Sequence, residues 1–274
     1  MRLVPLLAVL LAGCAAPARG PASGGLPAGG IVSTNPCADA MLVELAPERL
    51  SAISQYSHNP AATSLPLSVA RRFPSTAGTA EEVIALRPSL VVTSSFTPLA
   101  TRDAYRRAGL KTLLLDSPAT VAASEAQIAL VAEAVGQSAR GRAMIARIEQ
   151  AVARAAPRDA KAPPSVLLFI GGTLANGPGN LLDELMARAG LHNAAKDYGL
   201  AYTAPVALES IAAAPPALIL TPGPSRNATL RARVLNRMHA PTRYATFART
   251  LINCGGPTIV PAVTRLAELR RGEA

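Results

Sequence analysis

The sequence has few of the residues on which enzymes and metal sites most often depend. Its 274 residues include no Trp, three Cys and three His, and aromatic residues make up only 3%. The patterns G-x-S-x-G, H-E-x-x-H, C-x-x-C and G-x-x-x-x-G-K-[ST] are all absent. Residues 210–267 contain no acidic side chain. Because no convincing set of nucleophile, base and orienting group can be assembled, the sequence favours binding over catalysis.

Apolar and basic residues, by contrast, are plentiful. Hydrophobic residues make up 50% of the chain, too many for a disordered protein, and the net charge is +10. The charge is uneven, because residues 30–135 carry eight basic and nine acidic groups whereas residues 136–274 carry 17 basic and eight acidic groups. A basic balance can indicate a nucleic-acid partner, so the cellular location has to be considered next.

The N-terminus predicts export. Arg2 precedes an apolar run at residues 3–11, which is about half of the roughly 20 residues that span a bilayer and fits a secretory signal peptide. The following Leu-Ala-Gly-Cys14 resembles a bacterial lipobox, so we expect residues 1–13 to be removed and Cys14 to carry a lipid; an ordinary cleaved signal is the alternative. Residues 14–29 are a flexible tether rich in Pro, Gly and Ala. The protein is expected in the periplasm, anchored to the envelope by lipid and without a nucleic-acid partner.

From residue 30 onwards, short apolar runs alternate with helical patterns, which predicts an α/β fold with parallel sheets. Thr79-x-x-Glu82 matches a capping box and predicts the start of a helix, which must end near Arg87 because Pro88 follows. Strands are predicted at residues 31–33, 50–53, 90–93, 112–115, 166–170 and 218–221, and helices at 79–87, 99–108, around 128–135, 138–156, 180–189 and from about 257.

An internal repeat divides the chain into two halves. Residues 81–93 match residues 209–221 at a constant offset of 128, with a glutamate, apolar residues, a proline, a buried strand and a threonine at corresponding places. Such units also recur by chance in α/β proteins. Our interpretation is two similar α/β lobes joined by one long helix. The predicted boundaries are residues 30–136, 137–158 and 159–274.

Several segments together resemble one family, the cobalamin and ferric-siderophore class of periplasmic substrate-binding proteins for ABC importers. The resemblance covers roughly residues 30–270. It depends on the order and spacing of residues 31–36 (IVSTNP), 54–60 (SQYSHNP), 82–91 (EVIALRPSLV), 108–111 (AGLK) and 177–180 (GPGN).

The resemblance implies two lobes joined by a rigid helix, with the ligand in the cleft between them. Residues matching the family's cleft loops are Asn35, Cys37, Tyr56, Ser57, His58, Ser95 and Phe96 on the first lobe, and Gly171, Gly172, Thr173, Cys254 and Gly255 on the second. Glu81 and Glu209 match the glutamates that pair with permease arginines, although both could simply be acids favoured in a first helical turn. The lack of Trp departs from the family's cobalamin binders.

Three interpretations of Cys37 and Cys254 stay open: a disulfide, two free thiols, or soft metal ligands near His58. Two also stay open for the arginines of the acid-free stretch, which are either a solvated surface or, if some face the cleft, an attraction for an anionic ligand. These arginines are Arg226, Arg231, Arg233, Arg237, Arg243 and Arg249.

The sequence therefore predicts a monomeric, lipid-anchored substrate-binding protein without a cofactor of its own. It would capture a metal chelate, either a ferric siderophore or a corrinoid, and deliver it to an ABC permease. The alternatives are an exported enzyme on a two-lobed scaffold and a structural envelope lipoprotein.

Overall fold

A computed structural model describes residues 29–159, 162–237 and 239–273. The predicted signal peptide, Cys14 and all of the tether except Gly29 lie outside these residues. Within the described part of the chain, no helix combines the length and the apolar character needed to cross a membrane.

The first lobe is built on a five-stranded parallel sheet in the order β3-β2-β1-β4-β5. Its strands are β1 (Ile31–Ser33), β2 (Leu50–Ser54), β3 (Ser75–Thr76), β4 (Leu90–Ser94) and β5 (Thr112–Leu115). Its helices are α1 (Pro36–Leu45), α2 (Leu67–Ala70), α3 (Ala80–Ala85), α4 (Leu99–Arg107) and α5 (Val121–Ala134).

The long helix α6 (Ser138–Ala155) leads to a second sheet, in the order β11-β10-β6-β7-β9 with β8 also paired to β6. The strands are β6 (Ser165–Gly171), β7 (Leu174–Ala175), β8 (His192–Asn193), β9 (Ala204–Pro205), β10 (Leu218–Thr221) and β11 (Arg243–Thr246). The helices are α7 (Leu181–Arg188), α8 (Leu208–Ala213), α9 (Arg226–Arg237) and α10 (Ile259–Arg271).

The central parallel strands have the same arrangement in both lobes, although the second sheet also contains the antiparallel pairs β6–β7 and β7–β9. In the first, β1 lies between β2 and β4, and β5 follows at the edge; in the second, β6 pairs with β8 and β10, and β11 follows at the edge. The repeated segment occupies equivalent places, because α3 and α8 begin 128 residues apart, as do β4 and β10. The predicted α/β class and pair of similar lobes joined by a helix are confirmed.

Several elements were missed in the sequence, among them the short segments α2, β3, β7, β8 and β9. The structure contains helix α1, where the Asn-Pro-Cys segment was interpreted as a cleft loop, and also α9 and the edge strand β11. Helix α9 has four arginines among its 12 residues, and β11 is a mostly exposed edge strand that begins with Arg243. Both are rich in polar and basic residues, whereas the other elements were found from their apolar runs.

One apolar core extends through both lobes. Its members come from the sheet face of the first lobe (Ile31, Val92), from α6 (Met144, Ile148) and from the second lobe (Leu168). Smaller clusters cover the opposite face of each sheet, under α3 and α4 in the first lobe and under α8 and α9 in the second. Because the main core is shared, helix α6 is a structural part of both lobes rather than a linker between them.

Helix α6 is also fixed by its basic side chains. The Arg140 guanidinium donates a hydrogen bond to the Leu45 carbonyl at 2.8 Å, and Arg147 forms an ion pair with Glu44. Both partners lie in the last turn of α1. Arg140 and Arg147 thus attach α6 to the first lobe, where C-terminal helix carbonyls attract positive charge.

Gly141 allows α6 to lie unusually close to α5. A Cβ atom built at Gly141 would come 2.4 Å from the Cβ of Ala132, which is closer than two carbon atoms can pack. Ala132 is fully buried. A glycine inside a helix normally lowers stability relative to alanine by roughly 0.5–1 kcal/mol, so its presence here follows from the close helix contact.

We therefore predict that Gly141→Ala lowers the free energy of unfolding by about 1–3 kcal/mol, because overpacking outweighs the gain in helix propensity. Ala132→Gly removes the methyl group that Gly141→Ala would meet, so the double variant should recover most of the loss. Urea unfolding of the wild-type protein, both single variants and the double variant measures this coupling. Additive effects of the two substitutions would contradict the predicted contact.

Candidate functional site

A cleft of about 650 Å³ lies between the lobes. The first lobe contributes residues that follow the carboxyl ends of its strands, including Asn35 after β1, Tyr56 after β2 and Phe96 after β4. The second lobe contributes Asn176 and the loop 252–255. This is where parallel α/β sheets generally bind ligands, because loops diverge at the carboxyl edge of the sheet.

The N-terminus of helix α1 forms part of the floor of the cleft. Asn35 caps α1 by accepting a hydrogen bond at 2.9 Å from the backbone N–H of Cys37, and Pro36 occupies the first turn, where no N–H is needed. This cap places Cys37 at the start of α1, facing the second lobe. There it forms a disulfide with Cys254, with 5.1 Å between the Cα atoms. The two sulfur atoms are thus bonded to each other, and neither is a free thiolate.

Three hydrogen bonds connect the lobes near the disulfide. The Val121 N–H, at the start of α5, donates to the Glu184 carboxylate at 2.8 Å. The Gly256 N–H donates to the Ser124 hydroxyl at 2.7 Å, and the Asn253 amide donates to the Ala62 carbonyl at 3.3 Å. Together with the disulfide, these bonds hold the cleft in an assembled form.

Gly255 lies at a close approach of the two lobes, next to the disulfide. A Cβ atom there would lie 2.6 Å from the Ser124 oxygen and 3.0 Å from a Pro118 ring carbon. Its φ of −82° is accessible to any residue. The requirement for glycine therefore comes from the space between the lobes and not from the backbone conformation.

Two aromatic side chains present exposed surface in the cleft. Tyr56 is 53% exposed and Phe96 is 80% exposed, although large aromatic side chains are usually buried. Tyr56 lies in a short 3₁₀ turn (Gln55–His58) that is capped by the hydroxyl of Ser54. Exposed aromatic faces next to a concave surface are suited to stacking on a flat ligand.

A buried carboxylate positions the turn that carries Tyr56. Asp39, fully buried on α1, accepts hydrogen bonds from the Ser54 N–H at 3.0 Å and from the Ser57 hydroxyl at 2.6 Å. Burial raises the pKa of Asp39 from 3.8 to about 7, although hydrogen bonds from neighbouring serines oppose the rise. Asp39 was not singled out in the sequence, where a single carboxylate in a helix gives no indication of such a role.

The predicted ligand-binding residues fall into different places. Besides the five already described (Asn35, Cys37, Tyr56, Phe96 and Cys254), only Gly255 lines the cleft. The other six do not. The Ser57 hydroxyl is bonded to the buried Asp39 carboxylate, and the His58 ring is paired with the Ala70 carbonyl at 3.0 Å. Ser95 lies between the lining residues Ser94 and Phe96, Gly171 and Gly172 line a second, smaller cavity, and Thr173 lines neither cavity.

The structure also adds residues to the cleft. Asn176 and Asn180 come from the second lobe, and Asp116 is the one carboxylate among the lining residues. Asn180 caps α7 by accepting from the Asp183 N–H at 3.1 Å, and its amide donates to the Gly177 carbonyl at 3.0 Å. Within the described residues, no group of three or more His, Cys, Asp or Glu side chains is arranged to hold a metal ion.

Glu81 and Glu209 occupy equivalent places in the two lobes, in the first turns of α3 and α8. Both are exposed, and neither side chain has a hydrogen-bond or ion-pair partner among the described residues. The neighbouring Glu82 differs, because its carboxylate accepts from the Thr76 hydroxyl at 2.7 Å and from the Ala77 N–H at 2.8 Å. Only the Thr79 half of the predicted capping box forms.

Comparisons with known proteins agree with this architecture. The model of a family described as periplasmic binding protein matches residues 31–241. No curated protein sequence shows a significant match. Among solved structures, the periplasmic heme-binding protein RhuT from Roseiflexus sp. RS-1 is 24% identical, with a TM-score of 0.73 over 90% of this chain and 99% of its own.

Two structures from Vibrio cholerae are also similar. The periplasmic heme-binding protein HutB is 19% identical, with a TM-score of 0.70 over 88% of this chain and 98% of its own. The periplasmic vitamin B12-binding protein BtuF is 18% identical, with a TM-score of 0.67 over 90% of this chain and 98% of its own. At these identities the similarity shows a shared fold.

The raised pKa of Asp39 predicts a pH dependence of stability. The folded state binds the Asp39 proton more tightly than the unfolded state, so this proton's contribution to stability is complete below about pH 4 and is lost as the pH rises to about 7. The slope is at most about 1.4 kcal/mol per pH unit. Asp39→Asn keeps an oxygen acceptor and should remove this slope, as measured by urea unfolding at several pH values. Asp116→Asn, at an exposed carboxylate, is the matched control, and identical slopes in wild type and Asp39→Asn would contradict the prediction.

Proposed function

Because the chain belongs to the periplasmic binding protein family, we propose that it captures a metal chelate of the heme or corrinoid type and delivers it to an ABC permease. The family assignment confirms the predicted class of substrate-binding protein, as opposed to an enzyme. The nature of the cargo, the lipid anchor and the docking residues are parts of the proposal.

The shape of the cleft supports a flat, mostly apolar cargo. Its volume of about 650 Å³ falls in the range of roughly 300–1,000 Å³ that is typical of small-molecule sites. Tyr56 and Phe96 offer aromatic surface from the first lobe, and Asn176 offers an amide from the second. Two of the similar structures are named for binding heme and one for binding vitamin B12.

The chemistry of the lining supports a metal that arrives already chelated. The disulfide occupies both cysteine sulfurs, so they cannot act as the soft ligands considered in the sequence. The Tyr56 hydroxyl is an oxygen donor that could complete the coordination of a chelated ferric ion, as tyrosine does in some heme proteins. Asn176 and Asn180 could then bind polar groups at the edge of the chelate.

The connections between the lobes support capture with little change of shape. The shared core through α6, the disulfide and the hydrogen bonds at Val121 and Gly256 hold the two lobes together. A preformed cleft reduces the conformational entropy that binding must overcome. Tight binding of a scarce compound from dilute solution benefits directly from this saving.

The lipobox-like segment and the two exposed glutamates support the proposed location and delivery. The lipobox-like segment supports a lipid on Cys14, which would hold the protein at the envelope while the tether lets it reach a permease. Glu81 and Glu209 are exposed, one on each lobe, at positions related by the internal repeat. Two carboxylates placed in this way suit a permease with two symmetric basic sites.

The cargo is tested by titrating the purified protein with hemin, cyanocobalamin, a ferric hydroxamate siderophore and free Fe³⁺, using calorimetry. We expect one-to-one binding of hemin or cyanocobalamin and no specific binding of the free ion. If hemin binds, Tyr56→Phe should weaken it about tenfold or more through loss of the hydroxyl. Tyr202→Phe is the matched control, because Tyr202 is also exposed to solvent, at 71%, but does not line the cleft.

The other outcomes separate the alternatives. Tight binding of the siderophore alone would replace the heme or corrinoid type and retain the importer. Chemical conversion of a chelate would support an enzyme. No binding of any chelate, with the disulfide intact or reduced, would favour a structural lipoprotein.

Docking is tested by reversing the charges of Glu81 and Glu209, which occupy equivalent positions of the internal repeat. Glu81→Arg combined with Glu209→Arg should abolish uptake of the bound chelate by cells and leave its binding in solution unchanged, because the substituted side chains lie outside the cleft. Glu133→Arg combined with Glu149→Arg makes the same change in charge at exposed positions on α5 and α6 and should leave uptake intact. Loss of chelate binding in the first double variant, or equal loss of uptake in both, would contradict the docking assignment.

A further inference from the structure

A second cavity of about 210 Å³ lies at the carboxyl edge of the second sheet. It shares no lining residue with the main cleft. Its walls come from the end of β6 (Gly171, Gly172), from the segment after β10 (residues 221–225) and from two arginines, Arg231 and Arg249. No acidic residue lines it. The cavity is small and basic, whereas the main cleft has neither arginine nor lysine among its lining residues.

Arg231 is a buried cation. Only 5% of its surface is exposed, which is rare for arginine. Its guanidinium lies 3.5 Å from the centre of the Phe169 ring and donates one hydrogen bond, at 3.0 Å, to the Gly172 carbonyl. Its Nε atom has no hydrogen-bond partner among the described residues. One neutral carbonyl and one ring face compensate only part of the cost of burying a full charge.

No carboxylate offsets this charge. Arg231 forms no ion pair within the described residues, and the surrounding stretch of sequence, residues 210–267, has no acidic residue at all. The Tyr244 phenol lies near enough to act on the pKa of Arg231, but burial raises the pKa of Tyr244 itself, so that this phenol is neutral at pH 7. A buried cation without a negative partner normally costs several kcal/mol.

Arg249 adds a second positive charge at the same cavity. It is half-buried, and its side chain has no hydrogen-bond or ion-pair partner in the described part of the chain. Helix α9 begins next to the cavity, where the Ser225 hydroxyl accepts from the Ala228 N–H at 3.2 Å, so the positive end of the helix dipole points to the same region. Two guanidinium groups and a helix start repel each other unless an anion lies between them.

We propose that this cavity binds one oxyanion group, a carboxylate or a phosphate, between Arg231 and Arg249. Guanidinium groups match the planar geometry of such anions and bind them by charge-assisted hydrogen bonds. The stacking of Arg231 on Phe169 fixes one donor in place, and the less restricted Arg249 completes the site. The volume is sufficient for a small anionic group and too small for a large chelate.

The position of the cavity suggests how it relates to the main cleft. Arg249 lies four residues before Asn253, which lines the cleft, and both cavities open at the carboxyl edge of the same sheet. The anion could be an acidic arm of a cargo held in the cleft or a free inorganic anion. The first source rests on the proposed function, whereas the existence of the anion site does not.

The site is tested with inorganic phosphate and sulfate at constant ionic strength and pH 7, following thermal unfolding and calorimetry of the full protein. We expect saturable stabilisation of the wild-type protein. Arg249→Gln, which removes one charge from a half-buried position without known contacts, should weaken phosphate binding roughly ten- to hundredfold, as expected for loss of a charge-assisted hydrogen bond. Arg231→Lys keeps the charge but loses the planar geometry, and should weaken it as well.

Arg233→Gln is the matched control. It removes the same charge from an exposed position two residues from Arg231 on the same helix, so it should leave phosphate binding within about twofold of wild type. No saturable effect of either anion on the wild-type protein would overturn the proposal. An equal loss in Arg233→Gln and Arg249→Gln would overturn it too, because it would show a general effect of net charge.

An acidic arm of the cargo is distinguished from a free anion by comparing hemin with hemin dimethyl ester, which lacks the free carboxylates. A cargo arm in the cavity predicts that Arg249→Gln weakens hemin binding but not binding of the ester, and that phosphate competes with hemin. A free anion predicts that phosphate binds the wild-type protein in the presence of saturating hemin. If neither form of heme binds, heme is excluded as the source of the anion, and the phosphate titration still decides the anion site.

Discussion

The continuous apolar core around helix α6 is the constraint on which the rest of the structure depends. Each sheet needs a cover for its inner face, and α6 with its neighbours α5, α7 and α10 provides that cover for both. The burial of Met144, Ile148 and Ala151 on one helix means that neither lobe can move away without exposing apolar surface. The close contact at Gly141 and the arginine bonds to the end of α1 make this junction tighter still.

This fixed junction explains the form of the binding cleft. Since the lobes share a core, the loops at their carboxyl edges face each other at a set distance, and the Cys37–Cys254 disulfide closes the floor at the place where α1 begins. Elsewhere, positioning the binding residues requires the burial of ionisable side chains, which lowers stability locally. The turn that presents Tyr56 is held by Asp39, a carboxylate whose burial opposes its own ionisation. The second lobe holds Arg231 without a carboxylate partner, and a bound oxyanion would offset that cost.

Prediction from the sequence succeeded where a single physical rule decided the outcome. Strand β5 and the start of α6 were predicted to the residue, because apolar runs and turn residues there are unambiguous. The repeat at Glu81 and Glu209 also indicated the equivalent halves correctly. Helix α1 was missed because Asn-Pro-Cys is compatible with both a loop and a capped helix start, and only the burial of Met41 and Leu42 distinguishes them. Pro222 and Pro224, in the four-residue segment between β10 and α9, hid the start of α9 in the same way.

The sequence by itself determined the class of fold, the order of the elements with clear apolar patterns, the two similar halves and the family, since these follow from local periodicity and from segments whose spacing is fixed along the chain. Only the tertiary structure decided which side chains meet. It joined Cys37 to Cys254 across 217 residues, turned Ser57 and His58 away from the cleft, brought Asn176 into it and placed Arg231 beside Arg249. These contacts join residues that are far apart in the sequence. They depend on how the two lobes pack around a shared helix, which no single segment of the chain determines.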